Sequence, residues 1–227
     1  MKKILTLLAA ICLATGSQAQ IVSSQSTIKK VEASNTTKYL RLGLNIAGAN
    51  GDGAKGSKSV ILYDFMFGFQ KPIYEGLYWG MEFGFSARGF KVENSGSEYI
   101  RGYGSYSYKE TNKLTAHQIR WTPIQLGYKI NVADNFKIDP HVGFFMSGDF
   151  AGSAKYEATY DGEKESNSTS IYDINDYRYF NLGGQFGVGV WFNNFNLDFT
   201  YQIGAMDFVK DAKCKSHNFL IRLGVSF

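Results

Sequence analysis

The sequence predicts an all-β fold, an eight-stranded antiparallel up-and-down barrel that crosses a membrane on its strands. Three observations carry this. Apolar residues alternate with polar ones at period two, the mark of strands with two chemically different faces. The apolar face continues for about bilayer height in segments of roughly ten residues, as strands that cross lipid require. Tight turns alternate with long loops, which returns both termini to one end of the barrel.

The last two strands set the pattern. Phe219, Ile221, Leu223, Val225 and Phe227 alternate with Asn218, Leu220, Arg222, Gly224 and Ser226, and Phe195, Leu197, Phe199, Tyr201, Ile203 and Ala205 oppose Asn196, Asp198, Thr200, Gln202 and Gly204. In chain order, the first strand begins near Lys38 with Leu40, Leu42, Leu44 and Ile46 on its oily face. A loop from Asn50 to Ser59 leads to the second, where Ile61, Tyr63, Phe65, Phe67 and Phe69 face out. After a turn through Pro72 the third strand turns out Leu77, Trp79, Met81, Phe83 and Phe85, then enters a Gly/Ser/Tyr-rich excursion beyond Phe90. The fourth returns from His117 to Ile130 and changes phase between Trp121 and Ile124, so Pro123, which lacks an N–H, marks a β-bulge. Ala133-Asp134-Asn135 is the next tight turn, and the fifth strand turns out Phe136, Ile138, Pro140, Val142, Phe144 and Met146. A long polar loop runs to about Asp176 before the sixth strand, Phe180 to Phe192, and Asn193-Asn194 joins it to the seventh.

At the N-terminus, Lys2 and Lys3, an apolar run from Ile4 to Leu13 and Ser17-Gln18-Ala19 have the three parts of a cleavable signal peptide, residues 1–19. Residues 20–37 read as a flexible periplasmic lead-in, or as a short plug, and 38–227 as the barrel domain. With Lys2 and Lys3 removed, 24 basic residues become 22 against 20 acidic ones, and the net charge falls from +4 to +2. That balance argues against a nucleic-acid partner. Cleavage leaves Cys214 as the lone thiol, without an internal disulfide and placed at a loop edge.

The polar face gathers Arg41, Asp64, Glu82, Arg88, Lys137, Asp139, Asp198 and Arg222. An eight-stranded barrel is only wide enough for side chains to fill, so these charges are expected to pair as an interior network and not to line a conducting pore. A soluble lipocalin-like barrel would reverse the two faces. Tyr74, Trp79, Tyr128, Phe136, Trp191, Phe192, Phe195 and Phe227 fall at the tight-turn ends of the strands, as an interfacial aromatic girdle would. Tyr99, Tyr103, Tyr106 and Tyr108 make the excursion after the third strand a candidate recognition loop, since Tyr gives broad contact at low entropic cost.

Signals for chemistry are sparse. Gly51-Asp52-Gly53-Ala54-Lys55-Gly56-Ser57-Lys58 has the wrong residue order for a phosphate loop and no helix after it. His117, His141 and His217 are scattered singly, without metal-ligand spacing, and no cofactor is expected. Ser86, Asp64 and His141 share the inward face, which leaves a small-barrel acyltransferase or hydrolase open as an alternative. Asp161, Glu163, Glu165, Asp173 and Asp176 read as a solvated acidic loop, with Ca²⁺ binding the other reading.

Tyr39-Leu40-Arg41-Leu42-Gly43-Leu44-Asn45, the central run from Ile119 to Lys129, Asp139-Pro140-His141-Val142-Gly143-Phe144 and the closing Asn218 to Phe227 together resemble the PorT-like outer-membrane β-barrel family of Bacteroidetes. The resemblance spans about residues 38–227 and implies an outer-membrane location with no catalytic residues to carry over. It also implies that the terminal Phe227 is the signal read by the barrel-assembly machinery. The expected partners are outer-membrane lipid and lipopolysaccharide, that machinery, and an extracellular or envelope protein. The expected role is structural or surface-interacting, with an accessory part in a secretion or envelope assembly and a lipid-modifying enzyme as alternatives.

Overall fold

The period-two pattern folds into one continuous antiparallel sheet closed on itself. The computed structural model describes residues 36–100, 104–160 and 163–227, so the predicted signal peptide, nearly all of the lead-in, Tyr103 and Asp161 lie outside the described residues. Eight long strands form the ring: β1 (Thr37–Asn50), β2 (Val60–Tyr74), β3 (Leu77–Ile100), β4 (Gly104–Tyr128), β5 (Phe136–Tyr160), β6 (Phe180–Phe192), β7 (Phe195–Asp207) and β8 (Lys215–Ser226). Each pairs with its sequence neighbours, and β1 pairs with β8 from Tyr39↔Ser226 to Asn50↔Lys215. The Phe227 N–H donates to Lys38 O at 3.0 Å, so the terminal residue completes the seam. Closure leaves no unpaired edge within the ring.

The faces divide as the alternation dictates. Leu42, Leu44, Phe65, Phe67, Phe83, Phe85, Phe199 and Leu223 are exposed on the outside, whereas Arg41, Asp64, Glu82, Asp198 and Arg222 have no exposed surface. An exposed apolar band around a charged axis is the reverse of a soluble barrel and is stable only when lipid covers the band. At Pro123 the registers on both sides slip, Gly80/Glu82 against β4 and Trp121/Ile124 against β5, which is the bulge that keeps Trp121 and Ile124 both outward. A second slip, His117/Gln118 against Ala151/Asp149, leaves Phe150 unpaired and reverses the phase of β5 above it.

The two long excursions are ordered strand and not irregular loop. β3 and β4 run on as one hairpin to Ile100↔Gly104. β5 continues to Tyr160, and the short strand Glu163–Ser170 folds back on it. The expected loops are therefore a sheet standing beyond the apolar band, with Ser57–Lys58 joining its β3 side. Hydrogen bonding explains the difference: once β3 and β4 are in register, polar residues extend the ladder as well as apolar ones.

Glycines opposite large inward rings let those rings lie flat on the neighbouring strand. The buried Tyr39 ring covers its cross-strand partner Gly68, where an added Cβ would stand 2.5 Å from Cζ. Gly68→Val displaces Tyr39 and is expected to cost about 1–3 kcal/mol, read as a lower urea midpoint for the barrel refolded in lipid.

Candidate functional site

The interior is built in three storeys. At the tight-turn end Asp139 accepts from Tyr78 Oη at 2.7 Å, Trp191 Nε1 at 2.9 Å and Gln70 Nε2 at 3.3 Å. Lys129 Nζ lies 4.8 Å from the Trp191 ring centre and 5.6 Å from that of Tyr78. The middle storey joins Arg41 Nη1 to Glu82 at 2.5 Å and Arg222 Nη2 to Asp198 Oδ1 at 2.6 Å. Arg222 Nη1 reaches Glu82 Oε2 at 3.1 Å, and Arg120 Nη1 reaches Asp64 at 2.7 Å. Above it, Arg120 donates to Gln202 at 3.3 Å and Gln202 donates to Gln185 at 2.7 Å, which fills the axis with amides.

The top storey closes the mouth. Arg88 Nη2 pairs with Asp149 at 2.7 Å and also donates to Arg178 O, while Tyr177 Oη donates to Asp149 at 2.6 Å. The Arg88 guanidinium sits 4.6 Å over the Phe208 ring. Around it Ala49, Ala54, Ala116, Ile171, Tyr177, Phe208 and Cys214 form an apolar cluster packed by Phe90, Leu114 and Ile174. The connections to β6 and β8 cross here through Arg178 N–H to Phe208 O at 2.8 Å and Lys210 N–H to Asp176 O at 3.0 Å. Gly51, at φ +118, lets the first connection pass under Lys213, a backbone conformation open to glycine. Cys214, at the loop edge one residue before β8, packs into this cap, and burial pushes its thiol pKa up.

Beyond the cap, the projecting sheet has two faces of opposite character. Its axis side continues upward from Phe90 and Leu114 to Glu110, Tyr108, Tyr156 and Tyr160. Tyr160 and Tyr156 both donate to Glu110 Oε1, at 2.8 and 3.1 Å, and hydrogen bonding to Tyr156 and to Glu110 holds the Tyr160 hydroxyl pKa above its ordinary value. On the other side, hydrogen bonds from Lys58 at 2.6 Å and from Lys91 bring the Glu93 carboxyl down to about 2.

The outer membrane protein beta-barrel domain family matches residues 5–227. The chain belongs to this family. It is an integral protein of the outer membrane. Among solved structures it is similar to Ail, the attachment invasion locus protein of Yersinia pestis, in complex with the heparin analogue sucrose octasulfate, at 13% identity and a TM-score of 0.36, with 85% of this chain and 99% of Ail covered. Neisserial surface protein A gives 13% identity and a TM-score of 0.40, again covering 85% of this chain and 99% of that one. No curated protein matches the chain.

Of the eight charges assigned to the interior of this outer-membrane barrel, Arg41, Asp64, Glu82, Arg88, Asp139, Asp198 and Arg222 are fully buried. Lys137 is not among them: it is half-buried at the tight-turn rim and makes no ion pair with the described residues. One residue from the end of its strand, its flexible stem carries the amine toward water. Trp191 leaves the girdle for the interior, 4% exposed, because its parity is that of Gly189 and Gln185. Tyr74, Tyr128, Phe192, Phe195 and Phe227 remain exposed at that end. Within the tyrosine-rich stretch, Tyr99 pairs with Ser105 and Tyr106 with Glu98 along the β3–β4 backbone ladder, and the Tyr108 ring lies over Gly96.

Arg120 and Asp149 join the interior beyond the charges expected there, and parity could have found them, since Ile119 and Trp121, and Gly148 and Phe150, flank them on the outward side. Tyr39 joins it too: it shares the parity of Arg41 and donates to Glu82 at 3.0 Å. Ser86, Asp64 and His141 do not converge. Ser86 accepts from Arg120, whereas His141 Nε2 lies 3.1 Å from Thr200 Oγ1 and its Nδ1 3.1 Å from Asp139 O. All three are at most 3% exposed, which denies a substrate access.

Arg222→Met would leave Asp198 and Glu82 short of a counter-charge, with an expected loss of about 3–5 kcal/mol in urea unfolding from lipid vesicles. Cys214 should resist maleimide at pH 7 in the folded barrel and react within minutes after unfolding. Phe208→Ala, which opens the cap, should speed labelling of the folded protein at least tenfold.

Proposed function

We propose that this protein is a non-conducting display barrel, whose strands anchor an ordered extracellular sheet that binds a surface or envelope protein. The observation that supports this is a contrast. The axis is filled by ion pairs and amides and the mouth is covered by the Phe208 cluster, while the β3–β4 hairpin and the Glu163–Ser170 strand stand clear of the band with Tyr156, Tyr160 and Glu110 on an ordered face. Aromatic and hydrogen-bonding groups held on a rigid ladder suit protein recognition. Tyr108, two residues from Glu110 and on its parity, adds to that face, and the stretch that carries Tyr99, Tyr103, Tyr106 and Tyr108 is the recognition segment in this reading.

The topology that goes with it places the tight turns and both termini in the periplasm and the two long hairpins outside the cell. It includes export by a signal peptide at residues 1–19, a lead-in over 20–37, and recognition of Phe227 by the assembly machinery. It also includes PorT-like membership and a non-enzymatic role, the latter supported by the scattered and buried Ser86, Asp64 and His141. Lipopolysaccharide is the immediate surroundings of the hairpins in this arrangement.

Purified barrel in planar bilayers should show no steps of porin size, and a porin-like conductance would sink the reading. A membrane-impermeant maleimide should label Thr111→Cys on intact cells; labelling only after lysis would invert the topology. Tyr156→Ala with Tyr160→Ala should cut adhesion, or crosslinked partner recovered from cells, at least fivefold with the barrel still resistant to unfolding in cold detergent. Undiminished adhesion and recovery would remove these tyrosines from the role.

A further inference from the structure

The outward side of the projecting sheet carries a row of lysines that no single strand reveals. Lys58 pairs with Lys91, Lys91 with Lys113, and Lys113 with Lys155, so four lysines stand side by side across four adjacent strands. Like charges on directly opposed strand residues are destabilising. One carboxylate, Glu93, serves the first two, at 2.6 Å from Lys58 and 2.7 Å from Lys91. Among the described residues Lys113 and Lys155 have no ion-pair partner. Higher on the same side Lys109 and Lys164 flank Thr159. With Thr111, Thr159, Ser166 and two acidic residues, Glu157 and Glu165, they line a groove of about 530 Å³.

The row stands beyond the outward-facing apolar band. Tyr63 and His117 stack at 5.8 Å between ring centres, and Phe150 lies beside His117, at the top of the apolar band. Lys113 shares the parity of His117 and lies four residues nearer the hairpin tip of β4, roughly 13 Å at about 3.3 Å per residue. The phase reversal at Phe150 turns Lys155 to that same side. Sign is segregated as well. Six lysines face outward against Glu93 and Glu157, whereas the axis-side parity holds Glu110, Glu163 and Glu165, the last of which also lines the groove, and no lysine among the described residues.

We propose that Lys91, Lys113, Lys155, Lys109 and Lys164 form a binding surface for the phosphate groups of the phosphorylated glycolipid in the outer leaflet. A lysine ammonium binds phosphate as a point charge with three donors. A ladder of them matches several phosphates presented in a plane, and the hydroxyls of Thr111 and Ser166 add donors in the groove. The Coulomb repulsion along the row is relieved once anions lie between the amines. The assignment rests on the hairpins being extracellular, which labelling at Thr111 tests separately.

The test uses the full folded chain in neutral detergent micelles. The probes are fluorescent bisphosphorylated lipid A, the same lipid dephosphorylated, and inorganic phosphate as competitor. The bisphosphorylated lipid should bind at least tenfold more tightly than the dephosphorylated one, and binding should weaken as salt rises. Lys109→Gln, Lys113→Gln, Lys155→Gln and Lys164→Gln combined should lose at least tenfold. Arginine at the same four positions should keep the affinity, which holds the proposal to account if the Gln variant misfolds. Equal binding of the dephosphorylated lipid, unchanged affinity of a folded Gln variant or loss in the Arg variant would each overturn it. Competition by inorganic phosphate at concentrations equal to those of the lipid would reduce the surface to an ion site and overturn the lipid assignment. If Thr111 labels only after lysis while lipid A still binds in micelles, the topology fails and the phosphate chemistry of the lysines stands.

Discussion

Everything in the barrel depends on how Arg41 and Arg222 are shared between Glu82 and Asp198. Two guanidiniums and two carboxylates from β1, β3, β7 and β8 meet at the axis with no exposed surface. Isolated, any one of them would carry a desolvation cost of several kcal/mol. Because each arginine is a rigid fork and each carboxylate accepts along several directions, the set is satisfied only when the four strands hold one register. The same network therefore occupies the axis and ties the four strands to one register.

The rest of the interior extends this logic to both ends. Among the described residues four buried arginines, with Lys129 at the rim, face five buried carboxylates, Asp64, Glu82, Asp139, Asp149 and Asp198. At the tight-turn end rings close the floor, with Tyr39 edge-on to Trp191 at 6.1 Å. At the other end the Arg88–Asp149 pair is buried under Phe208 and Tyr177, so polar axis gives way to an apolar lid. That lid separates a rigid anchor from the sheet above it, and the two faces of that sheet differ because only the axis-side face continues from the lid.

This division explains how a chain with few chemical motifs can still carry specific surfaces. None of the chemistry lies on one segment. Lys58, Lys91, Lys113 and Lys155 are separated in sequence by 22 residues or more. They become neighbours because antiparallel pairing brings distant residues to the same height. Tyr156, Tyr160 and Glu110 come together for the same reason.

Alternation alone determined which residues of each strand face lipid and which face the axis, because a period of two leaves each side chain one of two directions. It also marked the bulge at Pro123, where the phase of Ile119 and Trp121 gives way to that of Ile124 and Leu126. Strand length beyond the band was not legible, since Ser, Lys and Tyr in a hairpin look the same in a loop until a partner strand supplies hydrogen bonds. Parity also could not say that Lys137 stays at the rim, that Trp191 reaches Asp139, or that Cys214 is sealed under a lid. Those outcomes depend on register and height around a closed ring, which are set by long-range pairing and are absent from any one stretch of sequence.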